Sequence, residues 1–166
     1  MIYNVKVQTN IEQSRVSDMG IDQARLDQMT EEAQKMAKQS YAPYSKFHVG
    51  AVALLANGEM VSGSNQENAA YPSGLCAERT TVFYANAHYP GVAITHLLIY
   101  AETEGGGAVG NPITPCAACR QVLLEKENIQ GEDMKVIMVG KNGTFFVNKV
   151  SELVPLSFVP DSLKGE

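Results

Sequence analysis

Three cysteines are the residues of this chain whose type and spacing could support chemistry: Cys76, Cys116 and Cys119. The last two stand at i and i+3, so on a helix both thiols would share the first turn, where the dipole and free N–H groups favour thiolates. An odd cysteine count, with no signal peptide expected, favours metal ligation or redox chemistry over a disulfide framework. We expect three thiolates at one point to bind zinc with one position open, as in catalytic sites. Taken alone, the C-x-x-C pair could be a redox pair, and Cys76 an inert buried thiol.

Two residues next to these cysteines add a proton carrier and a positive charge. Glu78 follows Cys76 by two positions and Pro115 precedes Cys116, a combination typical of zinc deaminases, here in the all-cysteine form. Zinc lowers the pKa of water from about 15.7 to about 7, so hydroxide could attack the ring carbon of an aromatic amine while Glu78 moves the protons. Arg79 could hydrogen-bond to the thiolates and offset their charge. The alternatives are a first-turn glutamate favoured by the helix dipole and an ordinary surface arginine.

The elements that must position these residues alternate along the chain, which predicts a layered α/β sheet. Apolar periodicity and terminal residues predict three helices: residues 22–40, residues 76–88, and one that opens with Thr114 as N-cap and Pro115 as its first residue. Five strands are predicted, over residues 48–56, 59–64, 92–101, 134–140 and 144–147. The third is nearly continuously apolar, as expected of a central strand covered on both faces. Asn57-Gly58 is a strong hairpin signal between the first two.

Composition and charge restrict the class of protein. The chain has 166 residues, 45% hydrophobic and 19% charged, which predicts one folded domain rather than a disordered chain. Its net charge is −5 and no Lys/Arg cluster occurs, so nucleic acid is an unfavourable partner. The longest apolar run, residues 49–56, is far shorter than the roughly 20 residues of a membrane span. We therefore expect a cytoplasmic protein with no membrane partner.

Two further segments carry weaker predictions. Tyr3, Val5 and Val7 alternate with polar residues, which permits a short edge strand. The glycine-rich residues 104–111 lack the following Lys-Ser/Thr of a phosphate loop, so we expect a solvated loop there.

Over residues 41–158 the sequence resembles the homotetrameric zinc-dependent cytidine deaminases. Five blocks in the expected order carry the resemblance: 44–51 (YSKFHVGA), 65–71 (NQENAAY), 76–80 (CAERT), 115–122 (PCAACRQV), and 153–155 (LVP) followed by Phe158. The cysteine blocks are typical of the deaminase superfamily, whereas the first two blocks point to a nucleoside substrate. Residues 72–75 and the glycine-rich loop depart from the family pattern.

The resemblance implies a three-layer α/β/α fold with a five-stranded mixed sheet. Residues 1–166 would form one domain, with residues 1–20 as an N-terminal extension. The implied reaction is hydrolytic deamination of cytidine and deoxycytidine to uridine and deoxyuridine plus ammonia, in pyrimidine salvage. One zinc ion per subunit would be bound by the three cysteines, with Glu78 as the proton carrier. The functional unit would be a homotetramer whose sites are shared between subunits.

The family also implies residues that contact the nucleoside. Phe47 would pack against the pyrimidine and ribose, and the Ala77 backbone would help to read the base. Asn65 and Glu67 would hydrogen-bond to a ribose hydroxyl, and their alternation at a strand end lets both face one side. Ala69, Tyr71 and Phe158 would act across subunit interfaces. A core phenylalanine is the structural alternative for Phe47, and a polar strand end is the alternative for Asn65 and Glu67.

Three other functions share part of this pattern. A deaminase of another small cytosine nucleoside, of the antibiotic type, would share the zinc motifs. A deaminase of nucleotides or polynucleotides would need a basic groove, which the acidic composition opposes. A non-catalytic zinc protein would close the fourth coordination position with a further ligand.

Overall fold

The computed structural model describes residues 14–164 together with residues 2, 4 and 6. The predicted edge strand through Tyr3, Val5 and Val7 lies outside the described residues. Three α-helices are present: α1 (Gln23–Lys38), α2 (Ala77–His88) and α3 (Ala117–Gln130). Five strands are present: β1 (Phe47–Leu55), β2 (Met60–Ser64), β3 (Ile94–Thr103), β4 (Lys135–Gly140) and β5 (Gly143–Val147). Short 3-10 helices lie at Val16–Met19, Tyr71–Ser73, Val150–Leu153 and Pro160–Leu163.

The five strands form one mixed sheet, as predicted. Their order is β2-β1-β3-β4-β5. β3 and β4 are parallel, whereas the other neighbours are antiparallel. β3 lies at the centre and is buried along most of its length, which its apolar sequence predicted. The β1–β2 connection is a hairpin in which Gly58 has a φ of 87°, a conformation that favours glycine.

Helices cover both faces of the sheet, which confirms the three-layer α/β/α architecture. α2 and α3 bury Val82, Ala85 and Leu123 on one face, within the larger core cluster. α1 lies on the other face, where it buries Met29 and Ala33 in a second cluster. Among the described residues, no helix combines the length and the hydropathy that a membrane crossing requires.

Gly50 lets α1 approach the sheet closely. A Cβ atom at this position of β1 would overlap the carbonyl oxygen of Ala33 on α1. A side chain there would therefore push α1 away from the sheet. This close approach sets the position of α1 against the sheet.

The described end of the N-terminal extension is anchored to the α1 face. Met19 is buried in the second core cluster. Its carbonyl oxygen accepts a hydrogen bond from His96 Nε2 of β3 at 2.9 Å. Lys135 Nζ of β4 donates to the carbonyl of Asp18 at 3.2 Å. These contacts tie residues 16–19 to two strands of the sheet.

The start of α3 differs from the prediction that Thr114 is the N-cap and Pro115 the first helical residue. The N-cap is Cys116, whose backbone is extended at φ −65° and ψ 164° and whose sulfur accepts from the Cys119 N–H. The Thr114 hydroxyl instead accepts a hydrogen bond from Arg120. This hydrogen bond of the Thr114 side chain therefore replaces the capping that the local pattern predicted. The helix starts two residues later.

Candidate active site

The three cysteines meet at one point, as their motif predicted. Their sulfur atoms all lie within 4.8 Å of one another. Cys76 Sγ is 3.8 Å from Cys116 Sγ, which is 3.4 Å from Cys119 Sγ. A disulfide would bring two sulfurs to about 2.05 Å, so these are free thiols. In a tetrahedral site with Zn–S bonds of about 2.3 Å, the sulfurs lie roughly 3.8 Å apart. The donor set and its spacing therefore fit zinc.

The cluster forms because α2 and α3 begin side by side on the same face of the sheet. Cys76 and Cys116 are the N-cap residues of the two helices. Cys119 lies in the first turn of α3 and is fully buried, whereas Cys116 is exposed and Cys76 is partly buried. The cluster thus has a closed side toward the core and an open side toward solvent. The positive ends of two helix dipoles converge on the thiolates.

The sulfurs influence one another's ionisation. The pKa of Cys76 is lowered to about 5, because its thiolate is stabilised by the Cys119 thiol and also by Arg79. The pKa of Cys119 is raised, because its thiol stays protonated beside the Cys76 sulfur and is buried. Protein ligands bind a metal as thiolates. A divalent cation would supply the positive charge that three ionised sulfurs require.

Glu78 lies at the first turn of α2 and is almost entirely buried, with 4% of its surface exposed. Its pKa is raised, because burial disfavours the charged form and the neighbouring Cys76 thiolate adds to that effect. A buried carboxyl group next to a metal-binding cluster, with a raised pKa, is typical of a group that both accepts and donates protons. The helix dipole alone would explain a glutamate in the first turn of α2. It does not explain why Glu78 is also buried beside the sulfurs.

Arg79 lies against the cluster and borders the cleft described below. Its Nη2 donates to the Gly74 carbonyl at 3.4 Å, and its buried Nε has no partner among the described residues. Burial opposes the charged form, but the Cys76 and Cys119 sulfurs outweigh burial and raise the pKa of this guanidinium. Its position next to the sulfurs agrees with the predicted role of offsetting their negative charge.

A cleft of about 410 Å³ reaches from the protein surface to Cys76 and Arg79. Its size lies within the range of roughly 300–1,000 Å³ found for small-molecule sites. Three predicted substrate residues line it: Asn65, Glu67 and Tyr71. Four others do not line it within the described chain: Phe47, Ala69, Ala77 and Phe158.

The residues outside the cleft have other surroundings. Phe47 is partly buried and packs against the larger core cluster. Ala77 is fully buried as the first residue of α2. Ala69 is exposed, and Phe158 has 58% of its surface exposed. A single chain therefore brings together only part of the predicted substrate residues.

Glu67 is held at the cleft wall by backbone donors. Its Oε2 accepts from the N–H groups of Tyr44 at 2.9 Å and Ser45 at 3.3 Å. The pKa of Glu67 is lowered, first by a hydrogen bond from the Ser45 side chain and then by these backbone N–H groups. Tyr44 and Tyr71 meet edge to face at the same wall, with ring centroids 6.2 Å apart. The carboxylate is thus oriented and charged.

Asn65 has a structural role that the sequence did not reveal. Its Oδ1 accepts from the Val49 N–H at 2.8 Å, and its Nδ2 donates to the Phe47 carbonyl at 2.9 Å. These two bonds fix the first residues of β1. An amide side chain has four hydrogen-bonding positions, so one N–H and one lone pair remain for a ligand.

Three polar residues of α3 were also missed: Arg120, Gln121 and Glu127. Arg120 directly follows the C-x-x-C step, which was the available signal. All three bind the backbone of the chain after β5. Sequence spacing does not reveal contacts to an irregular segment more than 20 residues away.

Comparison with known proteins places these features in a family. The sequence pattern of the cytidine and deoxycytidylate deaminase zinc-binding region matches residues 23–137. A cytidine deaminase of Sporosarcina psychrophila is 37% identical over 139 residues, which is 83% of this chain and 94% of that protein. A cytidine deaminase of Halalkalibacterium halodurans is 36% identical over 81% of this chain and 95% of its own length.

Solved structures agree with the sequence comparison. The crystal structure of cytidine deaminase from Burkholderia pseudomallei has a TM-score of 0.66 and 35% identity, covering 80% of this chain and 98% of that chain. Cytidine deaminase from Mycobacterium tuberculosis has a TM-score of 0.61 and 29% identity, covering 80% and 96%.

Proposed function

This chain belongs to the cytidine and deoxycytidylate deaminase zinc-binding family, and from that membership we propose that it hydrolyses cytidine and deoxycytidine to uridine and deoxyuridine with release of ammonia. The observation that carries the proposal is a three-cysteine cluster with the buried Glu78 beside it, next to a cleft that Cys76 and Arg79 border. One zinc ion per subunit would occupy the cluster.

Glu78 carries the protons of the proposed reaction. Zinc held by the three cysteines supplies the Lewis-acid chemistry that makes water a nucleophile near neutral pH. Glu78 accepts the proton from the water that attacks C4 and gives it to the ring nitrogen N3. A later transfer protonates the amino group, which then leaves as ammonia. The raised pKa of Glu78 supports both directions of transfer.

The cleft wall recognises the ribose in this proposal. Both backbone donors reach Oε2 of Glu67, so Oε1 has lone pairs that can accept from a ribose hydroxyl. Asn65 lies on the same wall with one amide N–H to spare. The ring of Phe47 would pack against the pyrimidine and ribose, and the Ala77 backbone would contact the base. The negative charge of Glu67 would disfavour a phosphorylated sugar.

We further propose a homotetramer that completes these sites, in the cytoplasm and in pyrimidine salvage. Tyr71, which lines the cleft, has 76% of its surface exposed, and Phe158 has 58%. A neighbouring subunit would cover Tyr71 and Ala69 and receive Phe158 over its own cleft. This arrangement gives a reason for the incomplete cleft of a single chain.

The test is a substrate panel with the zinc-loaded protein. Loss of the cytosine absorbance is followed with cytidine, deoxycytidine, free cytosine and CMP. The proposal predicts turnover of the two nucleosides and little of cytosine or CMP. Turnover of CMP alone would contradict it, and no turnover in a zinc-loaded protein would favour an unusual nucleoside or a non-catalytic zinc site.

A variant of the cleft wall tests the ribose contact separately. Glu67→Ala should raise the KM for cytidine roughly tenfold, because a hydrogen bond to a charged group is lost. Glu59→Ala, in the exposed β1–β2 turn, is the matched control and should leave the KM unchanged. If the KM for cytidine were the same in Glu67→Ala and Glu59→Ala, Glu67 would have no role in ribose binding.

A further inference from the structure

The chain after β5 returns along α3 as a segment that we call the C-terminal strap, residues 150–159. It begins with the 3-10 helix Val150–Leu153 and includes the exposed Phe158. Val150 is fully buried, whereas Val154 and Val159 pack against the larger core cluster from outside. These apolar contacts are made by side chains. No residue of the strap belongs to a strand of the sheet. Side chains of α3 therefore contribute strongly to its position.

Three polar side chains of α3 bind the strap backbone along its length. Glu127 accepts from the N–H groups of Val150 at 2.7 Å and of Ser151 at 3.2 Å. Arg120 Nη1 donates to the Leu153 carbonyl at 3.1 Å. Gln121 Nε2 donates to the Phe158 carbonyl at 2.9 Å. The two contacts nearest Phe158 thus come from the residues that follow Cys119.

Arg120 also binds the turn that carries Cys116. Its Nε donates to the Pro115 carbonyl at 2.8 Å, and its Nη2 donates to the Thr114 hydroxyl at 3.0 Å. One rigid guanidinium therefore bonds on one side to the residues before a zinc-binding cysteine and on the other side to Leu153. Lysine could not reproduce this geometry, since an ammonium group lacks the planar fork.

We propose that Arg120 is a positioning residue that couples the cysteine cluster to the C-terminal strap, so that metal binding orders the strap and with it Phe158. Metal binding fixes Cys116, and the adjoining Pro115 carbonyl fixes the guanidinium that holds Leu153. The coupling is reciprocal, since ordering the strap also favours the metal-bound geometry. The effect of this coupling on substrate rests on the proposed function, in which Phe158 covers a neighbouring site.

The coupling is tested by hydrogen exchange of residues 150–159 in the zinc-loaded and zinc-stripped full-length protein. The wild type should exchange roughly tenfold faster in the strap after zinc removal, because a local opening becomes easier. In Arg120→Ala and Arg120→Lys the strap should exchange fast in both states. Arg25→Ala, which removes a partly exposed arginine of α1 bonded to Gln28, should behave like the wild type.

Two results would overturn the coupling. One is wild-type strap exchange that does not depend on zinc, and the other is a zinc dependence that survives in Arg120→Ala. If both Arg120 variants fail to fold, Thr114→Val replaces them. Thr114 is exposed and its hydroxyl accepts from Arg120 Nη2, so its loss should weaken the dependence of strap exchange on zinc. A zinc dependence as large as that of the wild type would also contradict the proposal.

Kinetics separate positioning from a general loss of structure. At saturating zinc, Arg120→Ala should raise the KM for cytidine roughly tenfold, with kcat within about threefold, since about 1.4 kcal/mol of binding corresponds to tenfold. Phe158→Ala should have the same KM for cytidine as Arg120→Ala. The double variant should have no higher KM than either single variant, because both changes act through one contact. If the two effects on the KM were additive in the double variant, Arg120 and Phe158 would not act through the same contact. If the wild type does not deaminate cytidine, the proposed function fails while hydrogen exchange still decides the coupling.

Discussion

Glu127 gives the most quantitative prediction of stability. Its carboxylate has 7% of its surface exposed and accepts from the N–H groups of Met134 at 3.0 Å, Val150 at 2.7 Å and Ser151 at 3.2 Å. It thereby joins α3 to the start of β4 and to the strap. Glu127→Ala removes the acceptor and leaves the buried N–H groups of Met134 and Val150 without partners.

The magnitude follows from those two donors. Each buried polar group left unsatisfied costs about 1–3 kcal/mol, so we expect Glu127→Ala to lower the free energy of unfolding by about 4 kcal/mol. For a chain of this size, that loss corresponds to a fall in Tm of roughly 8–16 °C. Glu127→Gln keeps one acceptor oxygen and should give an intermediate loss. A merely exposed glutamate would cost less than about 0.5 kcal/mol.

The assay is urea unfolding followed by far-ultraviolet circular dichroism, at equal zinc content because bound metal adds to stability. Glu125→Ala is the matched control, since Glu125 is an exposed glutamate of the same helix. The reasoning would be refuted if Glu127→Ala were as stable as Glu125→Ala. It would also be contradicted if Glu127→Ala changed only the slope of the free energy of unfolding against urea concentration and left the unfolding midpoint unchanged.

Three further predictions concern the metal, the cleft and pH. Cys119→Ser should abolish stoichiometric zinc binding, measured by metal analysis after gel filtration, and full zinc content would argue against the cluster. Because the pKa of Glu67 is lowered from 4.5, its carboxylate stays charged above that pH, so the ratio of the KM for cytidine in Glu67→Ala to that in the wild type should stay constant between pH 7 and about 5.5; a ratio that falls with pH over this range would show that Glu67 loses its charge there. Burial lowers the pKa of His96 from 6.5, so the unfolded chain binds more protons and stability should fall as the pH drops below 6.5. His96→Gln, which retains a donor for the Met19 carbonyl, should weaken that pH dependence in urea unfolding, and an unchanged dependence would exclude His96 as its source.

Much of the fold could be predicted because its signals are local. The hairpin at Asn57-Gly58, the apolar run of β3 and the stripe of α1 each depend on neighbouring residues. The cysteine cluster was predictable for a different reason, since ligand spacing restricts which residues can meet at a metal. Both kinds of signal are visible in a single sequence.

The helix start that was wrong and the contacts that were missed depend on side-chain hydrogen bonds. The pattern Thr114-Pro115 is a normal helix start, but Arg120 takes the Thr114 hydroxyl and Cys116 becomes the cap. Asn65 was expected to face a ligand, yet it also bonds to the backbone of Phe47 and Val49 on a neighbouring strand. No local periodicity announces such bonds, because the Asn65 bonds join residues 16 and 18 positions apart and the Arg120 guanidinium is also held by Leu153, 33 positions away.

The central claim is that the cysteine cluster and Glu78 together hydrolyse the C4–amino bond of cytidine. The most direct measurement compares wild type and Glu78→Gln at equal zinc content, counting the uridine and ammonia formed from cytidine. We predict equal amounts of both products from the wild type and a turnover lower by roughly 10²–10⁴-fold in Glu78→Gln, which keeps its zinc. Equal rates in the two proteins, or uridine formed without ammonia, would contradict the account.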